Sequence, residues 1–227
     1  VPNPTNQWGP RFDYNSNDSY QFFLDLGPLP NANEKYFNHK IAFWDSMMAH
    51  GNYDAFWQRR NIIPYMKNVT ASVMNVMGFF DAEDPHGPVN IYHSIEKNNP
   101  GIDNTIVMGP WYHGGWVRSD GSMLGNVSFE KKTAEYYRQN IDIKFFNYYL
   151  KDKGTLDLPE VLAFASGSNE WHELAAWPPP AAAPVSLYLR ANGGLTFEAP
   201  VATENAADSY VSDPANPVPY TAEKTIR

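Results

Sequence analysis

Gly78-Phe79-Phe80-Asp81-Ala82-Glu83-Asp84 decides how the rest of this sequence is read. The residues leading into it, 71–80 (ASVMNVMGFF), form an apolar run too short for a good helix and suited to a buried strand. The run stops at three carboxylates within four positions. In α/β proteins ligands sit in the crevice outside the carboxyl ends of parallel strands, so acids placed there face a cleft and not the core. Read in isolation, the same acids would make a solvated turn before a helix. The neighbouring elements favour the first reading.

Downstream, Gly87-Pro88 opens a helix, since proline is tolerated at the first helical position, and Ile91 and Ile95 fall on one face. Asn98-Asn99-Pro100-Gly101 closes it. Residues 105–108 (TIVM) are a second buried strand, ended by Gly109-Pro110. Strand, helix and strand within about 40 residues make one right-handed βαβ unit. Both strands then end on the same sheet edge, which sets the loop Pro110-Trp111-Tyr112-His113-Gly114-Gly115 beside Asp81. A long helical pattern over 128–153, with Tyr137, Ile141, Phe145 and Tyr149 on one stripe and Gly154 as its stop, closes the α/β layer.

Upstream, 1–19 reads as loop and 20–26 as a short apolar segment closed by Gly27-Pro28. Residues 34–49 carry Phe37, Ile41, Trp44 and Met48 at helical spacing, which predicts an amphipathic helix; a second short helix follows Asp54 and is ended by Pro64. These aromatic helices lie outside any βαβ rhythm and suit a cap over a site. After Pro159 the pattern changes to short turn-bounded runs at 161–165, 185–190 and 195–197, which predicts an all-β region of sandwich or jelly-roll type. The expected organisation is therefore a helical cap segment over 1–65, α/β core over 66–156, and the start of a β jelly roll over 157–227.

Composition narrows the partners. The formal net charge of −8 argues against a nucleic-acid backbone or an anionic membrane surface, and no apolar run has the roughly 20 residues of a membrane span. A small or cationic ligand is easier to accommodate. The absence of cysteine removes thiolate nucleophiles and cysteine-based zinc sites. An aromatic content of 15% suits a pocket lined with rings. The chain opens at Val1 with neither an initiator methionine nor a signal segment, which leads us to expect a piece of a longer protein.

Asp81 and His113 stand 32 positions apart at the ends of successive strands, enough for one helical crossover. A carboxylate that holds an imidazole is the orienting half of a nucleophilic triad: it fixes the tautomer and stabilises the imidazolium formed when the base takes a proton. No G-x-S-x-G elbow is present to carry the nucleophile, although the order acid then histidine agrees with α/β-hydrolases. A metal reading that joins His86 and His93 to Glu83 and Asp84 lacks tight ligand spacing, and no cofactor is expected. His39, His50 and His172 read as surface or packing residues. Trp111 and Tyr112 are left between pocket lining and core.

Four segments in order, 54–60 (DAFWQRR), 78–84 (GFFDAED), 108–113 (MGPWYH) and 171–179 (WHELAAWPP), resemble the CocE/NonD hydrolases. The resemblance covers most of the chain from about Tyr53 on and is nearest to the α-amino acid ester hydrolases and the glutaryl 7-aminocephalosporanic acid acylases. It implies an α/β-hydrolase core with a helical cap and a C-terminal jelly roll, and a serine hydrolase of esters or amides, β-lactam antibiotic acyl side chains among its substrates. By position Asp81 is then the triad acid and His113 the base, while Glu83 and Asp84 match carboxylates that receive the α-ammonium group of the substrate. The serine and the oxyanion-hole tyrosine would lie outside this chain, leaving it inactive alone. Phe80 departs from the tryptophan or tyrosine common in relatives. The resemblance also implies a periplasmic or secreted location and a homo-oligomer for the full-length protein. A reading of another class stays open at this point: a non-catalytic binding piece whose acidic loop contacts a partner.

Overall fold

The computed structural model describes residues 15–201, 207 and 209–216; the loop reading of residues 1–14 falls outside them. Two compact units are formed by the described residues, one up to Arg60 together with those from Ser186 on, the other spanning Asn61–Val185.

In the first unit α1 (Ser19–Leu26) starts at Asp18, whose carboxylate accepts from the Gln21 N–H at 2.9 Å, an N-cap that satisfies one of the orphan donors of a helix end. It stops at Gly27, where φ is +70°. The single helix expected over 34–49 is two pieces: a π-turn, Asn33–Phe37, and α2, Ala42–Ala49. Asn38 and His39 both take left-handed backbone between them, with φ of 47° and 54°. Asparagine tolerates that conformation, and Asp45 holds His39 there through a 2.9 Å contact with Nδ1. Periodicity could not show this break, because Phe37 and Trp44 still share a face across it, their rings edge to face at 5.2 Å. Ile41, expected on that face, is exposed. The helix after Asp54, α3 (Ala55–Gln58), is capped by the Asp54 carboxylate and ends well before Pro64.

The second unit carries the sheet. β1 (Val73–Gly78), α4 (His86–Asn98) and β2 (Asn104–Gly109) form the expected parallel βαβ unit, in register from Val73 against Asn104 to Gly78 against Gly109. After β2 come α5 (Gly115–Arg118) and a small hairpin, β3 (Met123–Leu124) with β4 (Val127–Ser128). The hairpin takes Ser128, the first residue of the long helix predicted over 128–153. That helix runs as α6 (Thr133–Tyr137), a π-turn (Arg138–Asp142) and α7 (Ile143–Lys151). Tyr137, Ile141 and Phe145 of the predicted stripe are buried.

β5 (Val161–Ala165) corrects the expected organisation. It does not open a separate β region at 157; it joins this sheet parallel to β2, with Ile106 opposite Val161 and Met108 opposite Ala163. β6 (Glu170–Leu174) pairs back on it antiparallel, so the strand order is β1-β2-β5-β6. Val161, Ile106, Met108 and Met77 pack with Tyr92 of α4 on one face. Leu162, Val107 and Trp111 pack with Ala134, Tyr137 and Ile141 on the other. A strand covered on both faces is apolar at every position, and VLAFA has that character; periodicity could not say which sheet would take it. In the first unit β7 (Tyr188–Arg190) and β8 (Gly194–Thr196) make a two-stranded antiparallel ribbon, and among the described residues no further strand extends it. No helix of the described residues is long and apolar enough to cross a membrane.

The paired glycines at the ends of β1 and β2 are a steric requirement. A Cβ on Gly78 would lie 2.1 Å from the Trp111 carbonyl oxygen, and one on Gly109 would lie 2.5 Å from the Trp111 ring. Gly78→Ala and Gly109→Ala should each lower stability by roughly 1–3 kcal/mol, Gly78 by more because the obstacle is backbone. Gly51→Ala, with nothing within 4 Å, should stay within about 0.5 kcal/mol of the parent. Urea midpoints at constant m-value read all three.

Candidate active site

The parallel ladder does not stop with the strands. Phe79 N–H donates to the Gly109 carbonyl at 2.9 Å and Phe80 N–H to the Trp111 carbonyl at 3.1 Å, so the two chain ends stay paired as they leave the sheet. Trp111, left between pocket and core by its sequence, is core: it is 1% exposed, and its Nε1–H donates to Thr133 Oγ1 at 2.9 Å. Phe80 and Tyr112 remain about half exposed. With the backbone locked on both sides, Asp81 and His113 have little freedom to miss each other.

Asp81 is buried, and both its oxygens are committed. Oδ1 accepts from the backbone N–H groups of Glu83 at 2.9 Å and Asp84 at 3.1 Å; Oδ2 lies 2.9 Å from His113 Nδ1. The Glu83 N–H is the largest influence holding the Asp81 carboxyl below its usual range; burial opposes it, and His113 and the Asp84 N–H assist. Asp81 is thus an anion fixed in place by its own loop.

His113 lies within the turn of residues 112–115, closed by Gly115 N–H donating to the Tyr112 carbonyl at 2.7 Å, with Gly114 in left-handed backbone at φ +71°. Its side chain is half exposed. The hydrogen bond to Asp81 and then the Asp81 charge push the imidazole above its ordinary value; burial opposes, and the charges of Glu83 and Asp84 add to the rise. Since Nδ1 is taken by the carboxylate, Nε2 is the nitrogen left for proton transfer.

Asp84 stands nearer the imidazole than its place in the sequence shows, Oδ2 lying 3.5 Å from Nδ1. Asp81, Asp84 and His113 line a cavity of about 360 Å³ with Val76, Met77 and Trp116, and Gly87, Pro88 and Ile91 of α4 complete its wall. That volume suits a small ligand, and its wall is apolar apart from the three titratable groups. Glu83, expected beside Asp84 at the substrate, is exposed and does not line the cavity. Trp116 was not singled out in the sequence, and Ile91 was expected with Ile95 on a core-facing side of its helix, not at a cavity. A tryptophan directly after the Gly114-Gly115 turn, and an isoleucine one turn into a helix that starts at the acidic loop, were the available signals.

Among the described residues Asp81, Asp84 and His113 are also the one group whose potential metal-ligating atoms all lie within 4.8 Å of one another. Asp81 already has Oδ1 held by two N–H groups and Oδ2 against the imidazole, which engages three of its roughly four acceptor sites. The set fits a hydrogen-bonded acid and base better than a metal centre. His86 and His93 do not join it.

Residues 13–115, which contain both Asp81 and His113, match the family described as X-Pro dipeptidyl-peptidase (S15 family). Cocaine esterase from Rhodococcus sp. (strain MB1 Bresler) is 23% identical over 184 residues, 77% of this chain and 31% of that protein. A putative Xaa-Pro dipeptidyl-peptidase from Bacillus anthracis is 26% identical over 168 residues, 72% of this chain and 25% of its own length. Among solved structures, an aminopeptidase from a marine sediment archaeon, Thaumarchaeota archaeon, superposes with a TM-score of 0.85 at 36% identity, covering 98% of this chain and 36% of that one. An α-amino acid ester hydrolase superposes with a TM-score of 0.84 at 35% identity, covering 92% and 36%. The chain thus spans about a quarter to a third of the curated relatives it matches. The family match, the curated relatives and the superposed structures together support the resemblance of this chain to the CocE/NonD hydrolases.

Proposed function

We propose that this chain carries the acid and the base of a serine-type hydrolase acting on esters or amides whose acyl part bears a free α-amino group. The observation that carries the reading is the 2.9 Å contact between Asp81 Oδ2 and His113 Nδ1 at the ends of two adjacent parallel strands. Asp81 fixes the tautomer and stabilises the imidazolium; His113 Nε2 takes the proton of a serine hydroxyl as it attacks the acyl carbon, then returns it to the leaving group. The serine and the donors for the oxyanion come from outside these 227 residues in this reading. Asp84, on the cavity wall, and Glu83, beside it in the loop, attract the ammonium group of the acyl donor, since two neighbouring carboxylates repel each other until a cation arrives. The superposed structures described as an aminopeptidase and an α-amino acid ester hydrolase support that substrate class. Acyl transfer to or from β-lactam nuclei is a narrower use of the same site.

In a polypeptide that also supplies the serine, Asp81→Asn should lower kcat by about 10⁴ with little change in KM, because the imidazole is then held in the wrong tautomer. Near-normal turnover would remove Asp81 from the orienting role. Hydrolysis of an α-amino ester compared with its des-amino analogue tests the acidic pair: the preference for the amino ester should fall in Asp84→Asn and in Glu83→Ala, and an unchanged ratio in both would refute the assignment.

The pH dependence follows from the direction of the His113 shift. The base works unprotonated, and its neighbours raise its affinity for protons. The acid limb of kcat/KM should therefore have its midpoint above the ordinary imidazole value, activity being lost below it. Asp81→Asn should move that midpoint down, as measured in the residual activity across a pH series.

A further inference from the structure

His113 faces more negative charge than an orienting acid requires. From the loop after β1 come Asp81, which takes the hydrogen bond, Asp84, with Oδ2 3.5 Å from the same Nδ1, and Glu83, whose charge also reaches the ring. From α5 comes Arg118, but its guanidinium donates to the His113 carbonyl at 3.4 Å and lies against Gly114, on the backbone side. β1, α4 and Trp116 of α5 contribute Val76, Met77, Gly87, Pro88, Ile91 and an indole to the cavity, none of them charged. Asp84, on the cavity wall and 3.5 Å from Nδ1, is the nearer of the two further acids, and Glu83, exposed outside the cavity, acts on the ring through solvent.

One negative charge is what the triad role uses; the other two oppose it, because they favour the imidazolium, which cannot accept a proton. We propose that Glu83 and Asp84 couple recognition to catalysis: an ammonium group docked on these carboxylates offsets their charge at His113, and the imidazole gives up its proton to solvent more readily when a cationic acyl donor is in place. The inference rests on the reading of this loop as the ammonium subsite, and adds that the subsite controls the state of the base. In the balance one proton leaves Nε2 for water as one cation enters, and no covalent bond to the ligand forms. A neutral acyl donor of the same shape would meet a His113 still held in its charged form over the pH range between the two titrations. Selection would then act through the availability of the base as well as through binding.

The test uses the polypeptide that also supplies the serine, ¹⁵N-labelled at histidine, with the His113 ring nitrogens followed by NMR across a pH series at constant ionic strength. The probe is n-propylammonium, which stays cationic throughout the imidazole range, with 1-propanol as its neutral counterpart. We expect Asp84→Asn and Glu83→Gln each to lower the His113 midpoint. Propylammonium should lower it in the parent chain while propanol leaves it in place, and the ammonium-induced shift should shrink in both variants. Both substitutions keep side-chain shape, and it is the backbone N–H groups of 83 and 84 that hold Asp81, so the loop is retained. Propylammonium that perturbs the 83–84 amides without moving the midpoint would overturn the coupling and leave the ammonium subsite standing. Propylammonium that perturbs nothing in the loop would remove both. Midpoints in the two variants equal to that of the parent would overturn the coupling by themselves.

Discussion

The fit of Trp111 against two glycines is the constraint on which the site depends. Gly78 and Gly109 end their strands opposite each other, and neither position has room for a methyl group, one being closed by the Trp111 carbonyl and the other by its ring. The same carbonyl accepts the Phe80 N–H, and the same indole reaches Thr133 at the start of the long helix. One side chain and its backbone thus tie the strand that delivers Asp81, the loop that delivers His113 and the helix covering that face of the sheet.

On that frame the acidic loop divides its work between backbone and side chains. The N–H groups of Glu83 and Asp84 fold back onto Asp81 and keep its carboxylate ionised and aimed. Their own carboxylates are left exposed, Asp84 at the cavity and Glu83 beside it. A turn of four residues therefore orients one acid with main-chain donors and presents two more as charge. Asn75, Asn104 and Glu96 form a separate polar chain toward the other end of the sheet, linked by contacts of 3.0 and 2.7 Å, which satisfies buried amides and reaches no part of the dyad.

The elements outside the βαβ unit show how far pattern reading carries. The long helix was legible because Tyr137, Ile141 and Phe145 keep their stripe through the π-turn at 138–142; the hairpin at 123–128 that shortens it left no periodic signal. Of the stripe Phe37, Ile41, Trp44 and Met48 the Phe37–Trp44 contact is kept and Ile41 is exposed, because the helix is broken at Asn38-His39, where two residues other than glycine accept left-handed backbone. Strand 161–165 was legible as a strand but not as a member of the parallel sheet, because membership depends on whether two helices cover it, which lies in distant residues.

By itself the sequence determined the order strand, helix, strand around Asp81 and His113, and with it the sheet edge on which the acid and the histidine emerge, since a right-handed crossover leaves parallel strands one arrangement. It also determined that three acids would stand at that edge. Only the tertiary structure decided where each acid stands relative to the imidazole. Distances of 2.9 Å for Asp81 and 3.5 Å for Asp84 to one imidazole nitrogen, and the exposure of Glu83 outside the cavity, arise from a turn whose geometry is set by Trp111 packing on two glycines. Local sequence fixes which groups can meet. How closely they meet depends on packing that also draws in residues distant in the sequence, and charge interactions vary too steeply with distance and burial to be read without it.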